Sequence, residues 1–273
     1  MAKRIRSWNQ LGYEQRLRHG RGSGKGSAYQ PWLCVQDFSS LGTISRVQGW
    51  KTGRVHHFMS NRELQYFFLL EWSDMVLDIR EQYPLLDVFS TVEIAEAAGI
   101  KHPYDPQSGF PYVLTSDFLL TTTNGLMARS VKMSHELDNR RVLEKLEIER
   151  RYWNEKGVDW RLVTEREINR QKAKNIEWLH ASKILRGLPY GDALLDEMLS
   201  EMERLYLEME NPILELCEQI ERSFSVDCGT GLAMFKHLAA NKRLPLDMDR
   251  PVALSKRRNM DTALCQVWEK VAV

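Results

Sequence analysis

Cysteine is scarce in this chain of 273 residues: Cys34, Cys217, Cys228 and Cys265 are scattered, with no Cys-x-x-Cys pair among them. That spacing argues against a zinc site or a disulfide framework and leaves reduced thiols in a cytoplasmic setting as the expectation. Long apolar runs are missing too. No stretch approaches the ~20 residues a bilayer span requires. The opening Met-Ala-Lys-Arg-Ile-Arg-Ser-Trp has no apolar segment behind its basic residues, so no secretory signal and no membrane partner are expected. Gly-x-x-x-x-Gly-Lys-Ser/Thr and Gly-x-Ser-x-Gly are absent, which removes support for P-loop nucleotide hydrolysis and for acyl transfer. There is no internal repeat and no low-complexity segment.

What is present is an ordinary globular composition, 43% hydrophobic and 27% charged, long enough for one large domain or two smaller ones. The net charge of +1 hides a polarised distribution. Residues 1–62 carry eleven Lys/Arg against Glu14 and Asp37, giving +9, whereas residues 63–169 come to −7 and residues 170–273 to −1. A basic leading segment joined to an acidic middle suits a polyanion-binding arm beside a metal-binding centre. Arg16, Arg18, Arg21, Lys25, Lys51 and Arg54 are the candidate DNA-contacting residues. Gly20, Gly22, Gly24 and Gly26 imply flexibility, so a solvated, disordered arm over residues 1–30 is the competing expectation.

Ser60-Asn61-Arg62-Glu63 fits a capping box, and Leu64, Phe67, Phe68 and Trp72 then recur at helical spacing. A strand over 75–86, a short helix over 92–98 and a turn-rich loop follow. The spacing predicts a hairpin over 112–133, a long helix over 138–156 stopped by Gly157, and a strand over 159–164. This order gives an α/β fold, a mixed sheet flanked by helices. Beyond 168 the periodicity predicts helices over 176–185, 194–209, 213–224 and 231–240, with a small wing over 244–254. The expected domains are 1–167, catalytic with a basic N-terminal arm, and 168–273, helical.

The hairpin carries the chemistry. Asn124-Gly125 between β-prone runs signals a two-residue turn with φ > 0 at both positions. Thr123 then faces Leu126, paired positions sum to 249, and Asp117 lies directly opposite Lys132, with Ser130 on the same face. Opposed Cβ atoms sit roughly 4.5–5.5 Å apart. Phosphodiester hydrolysis needs an activated water, a stabilised pentacoordinate charge and a neutralised leaving oxygen, which hard divalent cations held by carboxylates supply. Asp117 is the natural ligand, Lys132 a group to orient or deprotonate the water or to steady charge, and the main-chain carbonyl of Val131 or Ser130 a further ligand. A bare cross-strand ion pair explains the same two residues. Glu63 is the remaining candidate ligand, although a capping glutamate needs no other role. Glu149 falls inside the apolar stripe of Val142, Leu146 and Trp153, so it must be paired, hydrogen-bonded or metal-linked; a salt bridge to an arginine is the plain alternative. His56 and His57 alternate in direction along a strand and do not make a joint site.

The order Glu63, Asp117, x-Lys132 resembles the restriction-endonuclease-like nuclease superfamily. More specifically, Lys51-Thr-Gly-Arg-Val-His-His57, Leu70-Glu-Trp72, Leu77-Asp-Ile-Arg-Glu-Gln-Tyr-Pro-Leu-Leu86, Ser116-Asp-Phe118, Leu143-Glu-Lys-Leu-Glu-Ile-Glu-Arg-Arg-Tyr-Trp153 and Asn175-Ile-Glu-Trp-Leu179 look like the TnsA family, endonuclease subunits of heteromeric cut-and-paste transposases. The resemblance covers about residues 50–180. It implies a metal-dependent DNA endonuclease, using one or two Mg²⁺ ions with Mn²⁺ as a substitute, that cuts the 5′ strands at transposon ends while a DDE partner, TnsB, cuts and joins the 3′ ends. It implies Glu63 and Asp117 as metal-binding acids, Lys132 as the catalytic lysine, and a winged-helix-like C-terminal domain that contacts the AAA+ regulator TnsC. Ser130 stands where the motif has Glu or Gln. A stand-alone restriction or repair nuclease and a catalytically weak DNA-binding adaptor are the alternatives.

Overall fold

The computed structural model describes residues 8–37 and 44–256. The first seven residues, with Lys3, Arg4 and Arg6 of the basic arm, residues 38–43, and residues 257–273 with Cys265 lie outside the described residues. The chain divides into two compact units, one ending at Ile168 and the next starting at Asn169. No helix among the described residues is long and apolar enough to cross a membrane.

The first unit runs α1 (Gln10–Arg18), β1 (Ser45–Gln48), β2 (Val55–Phe58), α2 (Asn61–Trp72), β3 (Val76–Pro84), α3 (Val88–Ala97), β4 (Thr115–Thr122), β5 (Gly125–Val131), α4 (Arg140–Glu155) and β6 (Asp159–Val163). Strands β1 and β2 form an antiparallel ribbon, and β3-β4-β5-β6 form the main sheet in that order. The first two pairings of the main sheet are antiparallel and β5/β6 is parallel, so the sheet is mixed. A parallel step needs a crossover, which α4 provides. Leu119 and Ala128 pack with Ile94, Ala95, Ile148, Tyr152 and Trp153 of α3 and α4. Phe118, next along β4, meets Tyr66 of α2 at 5.6 Å between ring centroids, and Phe58 meets Phe67 at 4.7 Å. Period-two alternation along β4 accounts for the separation of these two clusters.

The hairpin forms, with a correction to its register. Thr122 pairs with Gly125, Thr121 with Leu126 and Phe118 with Arg129, so paired positions sum to 247 rather than 249. Gly125 alone takes a positive φ, +115°, and the turn falls on Thr123-Asn124. Glycine at the fourth turn position fits a type I turn, whereas the expected turn needed φ > 0 at both Asn124 and Gly125. Asp117 is therefore not directly opposite Lys132; in register it stands across from Ser130. The two-residue shift is even, so it leaves the alternation of faces unchanged.

The second unit consists of α5 (Arg170–His180), α6 (Asp192–Glu208), α7 (Ile213–Phe224) and α8 (Thr230–Ala240) around Met198, Met202, Leu216, Ile220, Phe235 and Leu238. A Cβ on Gly231 would lie 2.4 Å from the Cys217 carbonyl oxygen, so only glycine lets α7 and α8 approach this closely. Residues 241–256 contain no strand, and the expected wing is irregular chain. Pro245 and Pro251 cannot donate to a ladder. The segment is held instead by Asn175, whose amide donates to the carbonyls of Met248 (2.9 Å) and Arg250 (2.7 Å).

From Trp8 onward the N-terminal segment is packed rather than loose, which corrects the expectation of a disordered arm. Trp8 N–H donates to Asp105 (3.1 Å), Gly26 N–H to Asp78 (3.1 Å), and the Tyr29 hydroxyl to the Glu81 carbonyl (3.0 Å). Trp32 N–H donates to the Gln82 carbonyl (3.2 Å), so the segment covers the outer edge of β3. Gly22 has φ +79°, and a Cβ there would meet Pro84 Cγ at 2.3 Å. Gly22 thus serves close approach to β3.

Glu149 of α4 is buried against the sheet. It makes no arginine pair. Its Oε1 accepts from Ser116 Oγ (2.5 Å), from Trp160 Nε1 (3.0 Å) and from Ser130 Oγ. Burial, above all, pushes its carboxyl up to about 7, with the charge of Asp117 adding to the rise and the donors opposing it.

Gly22→Ala should destabilise the first unit by about 1–3 kcal/mol through steric overlap and positive-φ strain, measured by urea denaturation. Glu149 holds its proton in the folded state up to about 7 and releases it near 4.5 when unfolded. Its contribution is therefore complete below pH ~4.5 and lost as pH rises towards 7. Glu149→Gln keeps an acceptor for the three donors, so it should flatten the fall of Tm between pH 5 and 8. Calorimetric scans of parent and variant at each pH check this.

Candidate active site

The ladder between β4 and β5 has its last pair at Phe118 and Arg129. One step further, the Asp117 side chain takes over. Its Oδ2 accepts from Val131 N–H at 2.6 Å and from Lys132 Nζ at 3.0 Å. Lys132 Nζ also donates to the Val131 carbonyl at 2.9 Å. These bonds use one carboxylate oxygen and leave Oδ1 outside them. Burial alone would lower the lysine, but the charge and hydrogen bond of Asp117, followed by Glu149 and Glu63, raise it above the ordinary range. These partners favour the ammonium form of the lysine.

Glu63 reaches the same place from the first turn of α2. Ser60 caps the helix by accepting from Glu63 N–H at 3.2 Å. The glutamate side chain turns back: Oε2 accepts from Met59 N–H (3.1 Å), one residue before the cap, and Oε1 from Ser60 Oγ (2.8 Å). Gln82 Nε2 on β3 donates to Oε2 at 3.2 Å. Capping and site roles therefore coexist in one side chain. Burial and then the charge of Asp117 push the Glu63 carboxyl up to about 7, with Lys132 opposing them. Glu63, Asp117 and Lys132 thus share one electrostatic site.

Ser130 points its hydroxyl at Glu149, and Glu149 in turn holds Ser116 beside Asp117. Trp153 Nε1 closes the group by donating to Ser116 Oγ at 2.7 Å. Gln82 and Ser116 escaped the sequence reading. No pattern announces a glutamine in a strand, and Ser116 reads only as a residue flanking an aspartate.

Among the described residues no three His, Cys, Asp or Glu side chains form a metal cluster. Glu63, Asp117 and the carbonyl of Val131 are the oxygen donors here that could hold a metal ion. Such a set, completed by water or phosphate oxygens, fits a small hard cation. The charge of Asp117, which adds to burial in raising Glu63, is a repulsion that a cation would relieve.

The basic candidates are not alike. Arg54 is a correction: both its terminal nitrogens pair with the carboxylate of buried Glu81, and one also donates to the Ile79 carbonyl at 2.9 Å. His56 Nδ1 shares that carboxylate at 2.8 Å. Despite its burial, Glu81 is lowered to about 2, with Arg54 leading the groups that oppose desolvation. A buried charge needs such a partner, and Arg54 is consumed by it. Arg21 pairs with Asp37 at 2.5 Å, and Arg16 lies over the rings of Trp8 (5.1 Å) and Trp32 (5.5 Å). Lys51 is partly buried, with its N–H on Glu71 at 3.4 Å. Arg18 and Lys25 are exposed. The His57 ring turns elsewhere, its Nδ1 accepting from Val35 N–H at 3.3 Å, while its backbone N–H joins the Glu81 carboxylate at 3.1 Å.

Comparison with known proteins places the chain in a family. Residues 73–165 match the model of the TnsA-like endonuclease N terminal, and residues 167–248 that of the TnsA endonuclease C terminal. The two matches meet at the boundary between the two compact units. The transposon Tn7 transposition protein TnsA of Escherichia coli is 40% identical over 245 residues, covering 88% of this chain and 87% of that protein. On the strength of both domain matches and this extended identity, the chain belongs to the TnsA endonuclease family.

Proposed function

We propose that this chain is the metal-dependent endonuclease of a Tn7-like transposase and cuts the 5′ strands at the transposon ends. The observation that carries the reading is that Asp117 Oδ2 holds Lys132 Nζ at 3.0 Å while Gln82, across from Asp117 in the β3/β4 register, donates to Glu63 Oε2 at 3.2 Å. In this reading Glu63, Asp117 and the Val131 carbonyl hold one or two Mg²⁺ ions, with Mn²⁺ able to replace them. When bound, the ion supplies a Lewis acid and an activated water for phosphodiester hydrolysis. Lys132, fixed by Asp117 and by the Val131 carbonyl, presents a permanent positive charge to the phosphoryl oxygens. Ser130 acts indirectly: with Ser116 it satisfies Glu149, which lies beneath the strands that carry the site. Arg18 and Lys25 are exposed cations suited to phosphate contacts.

The partners follow from the division of labour. Double-stranded DNA at the transposon ends is the substrate, a DDE transposase of the TnsB type handles the 3′ strands, and an AAA+ regulator of the TnsC type contacts the helical second unit. The acidic balance of residues 170–273 favours a protein partner there over autonomous DNA binding.

Strand-resolved cleavage of a transposon-end duplex in Mg²⁺, with and without the partner transposase, tests this reading. Cleavage of the 5′ strand should require the partner. Asp117→Ala and Lys132→Ala should each lower it by about 100–1,000-fold or more, with assembly on DNA retained. Strong unassisted cleavage of plasmid DNA would favour a stand-alone nuclease, and full activity of Asp117→Ala would remove the assignment.

A further inference from the structure

We propose that Gln82 is a positioning residue that holds the Glu63 carboxylate in its metal-binding orientation beside Asp117; this rests on Glu63 and Asp117 being the metal ligands. Three observations meet at this residue. The pairs Glu81↔Phe118 and Tyr83↔Ser116 flank it on the β3/β4 ladder, so Gln82 stands across from Asp117. Its φ of +48° is the only positive non-glycine value among the described residues of the first unit. Its side chain is buried and donates to Glu63 Oε2 at 3.2 Å.

The backbone conformation is informative because a non-glycine residue in the left-handed region is strained and persists only where its surroundings over-determine it. Here the Trp32 N–H fixes the Gln82 carbonyl, and the ladder resumes on either side. The strain is placed opposite one site carboxylate and aims the side chain at the other. The choice of functional group also follows. A third carboxylate would add to the repulsion between Glu63 and Asp117, and a lysine would neutralise the pair and compete with a cation. An amide donates a directional hydrogen bond and adds no charge. Oε2 then carries two donors, Met59 N–H from the α2 entry and Gln82 from the sheet, and Oε1 carries Ser60 Oγ. Partners of this kind orient a ligand and tune its affinity without touching the ion.

The test measures Mn²⁺ binding to the full chain by electron paramagnetic resonance at fixed pH, with Tm recorded alongside. Gln82→Gly suits the left-handed backbone while deleting the amide. It should keep or raise Tm and weaken Mn²⁺ affinity by about 10–100-fold. The 5′-strand cleavage lost at low Mn²⁺ should return at saturating Mn²⁺. Gln82→Leu, similar in bulk, should show the same loss of affinity. Gln82→Gly binding Mn²⁺ like the parent, while Asp117→Ala abolishes binding, would overturn the positioning role and leave the metal assignment standing. Unchanged binding in Asp117→Ala would remove the metal assignment and this inference with it. A fall in both Tm and affinity that excess metal does not rescue would assign Gln82 to the core and overturn the inference as well.

Discussion

One carboxylate oxygen organises the site. Oδ2 of Asp117 takes the Val131 N–H, and so does in side-chain form what the next ladder bond would have done in backbone form. The same oxygen anchors the Lys132 ammonium. Two consequences follow: the backbone ladder between β4 and β5 ends at this point, and the Lys132 ammonium is held against a carboxylate. Without that oxygen, Val131 N–H loses its acceptor and Lys132 keeps only the Val131 carbonyl as a hydrogen-bond partner of its ammonium.

The neighbouring strand β3 supplies a contrast between two buried acids. Glu81 and Glu63 are both buried glutamates, yet Glu81 sits at about 2 and Glu63 at about 7. Glu81 has an arginine fork and an imidazole on its oxygens, and its charge is spent within the fold. Glu63 has only neutral donors in contact with it and a second carboxylate nearby. Divergence of this kind between similar groups is set by their partners, and it is one of the features that support the proposed site.

Much of this was legible in the sequence because it rests on local rules. The capping serine at 60, the Asn-Gly turn region, the glycine stop at 157 and the stripe that enclosed Glu149 each act within a few residues. The hairpin register slipped because Asn-Gly fits more than one turn, and the choice turns on a single φ at Gly125. The N-terminal segment was misread for a different reason. Gly22 is needed for contact with Pro84 at the end of β3, a long-range demand that composition cannot express. Arg54 was invisible as a structural cation because its partner Glu81 lies 27 residues away. The family resemblance supplied what spacing could not, the joining of Glu63 to the hairpin pair.

Two adjacent residues of β3 grip the chain on either side of a short connection. Glu81 accepts the His57 N–H (3.1 Å) near the end of β2, and Gln82 holds Glu63 in the first turn of α2. The segment between residues 57 and 63 is thereby clamped at both ends by one rigid strand. Its length is a fixed gauge: one residue inserted or deleted there would rotate the start of α2 by about 100° and turn its acid away from the sheet. Variation in chain length among relatives should therefore fall in the turns beyond this link and spare the link itself.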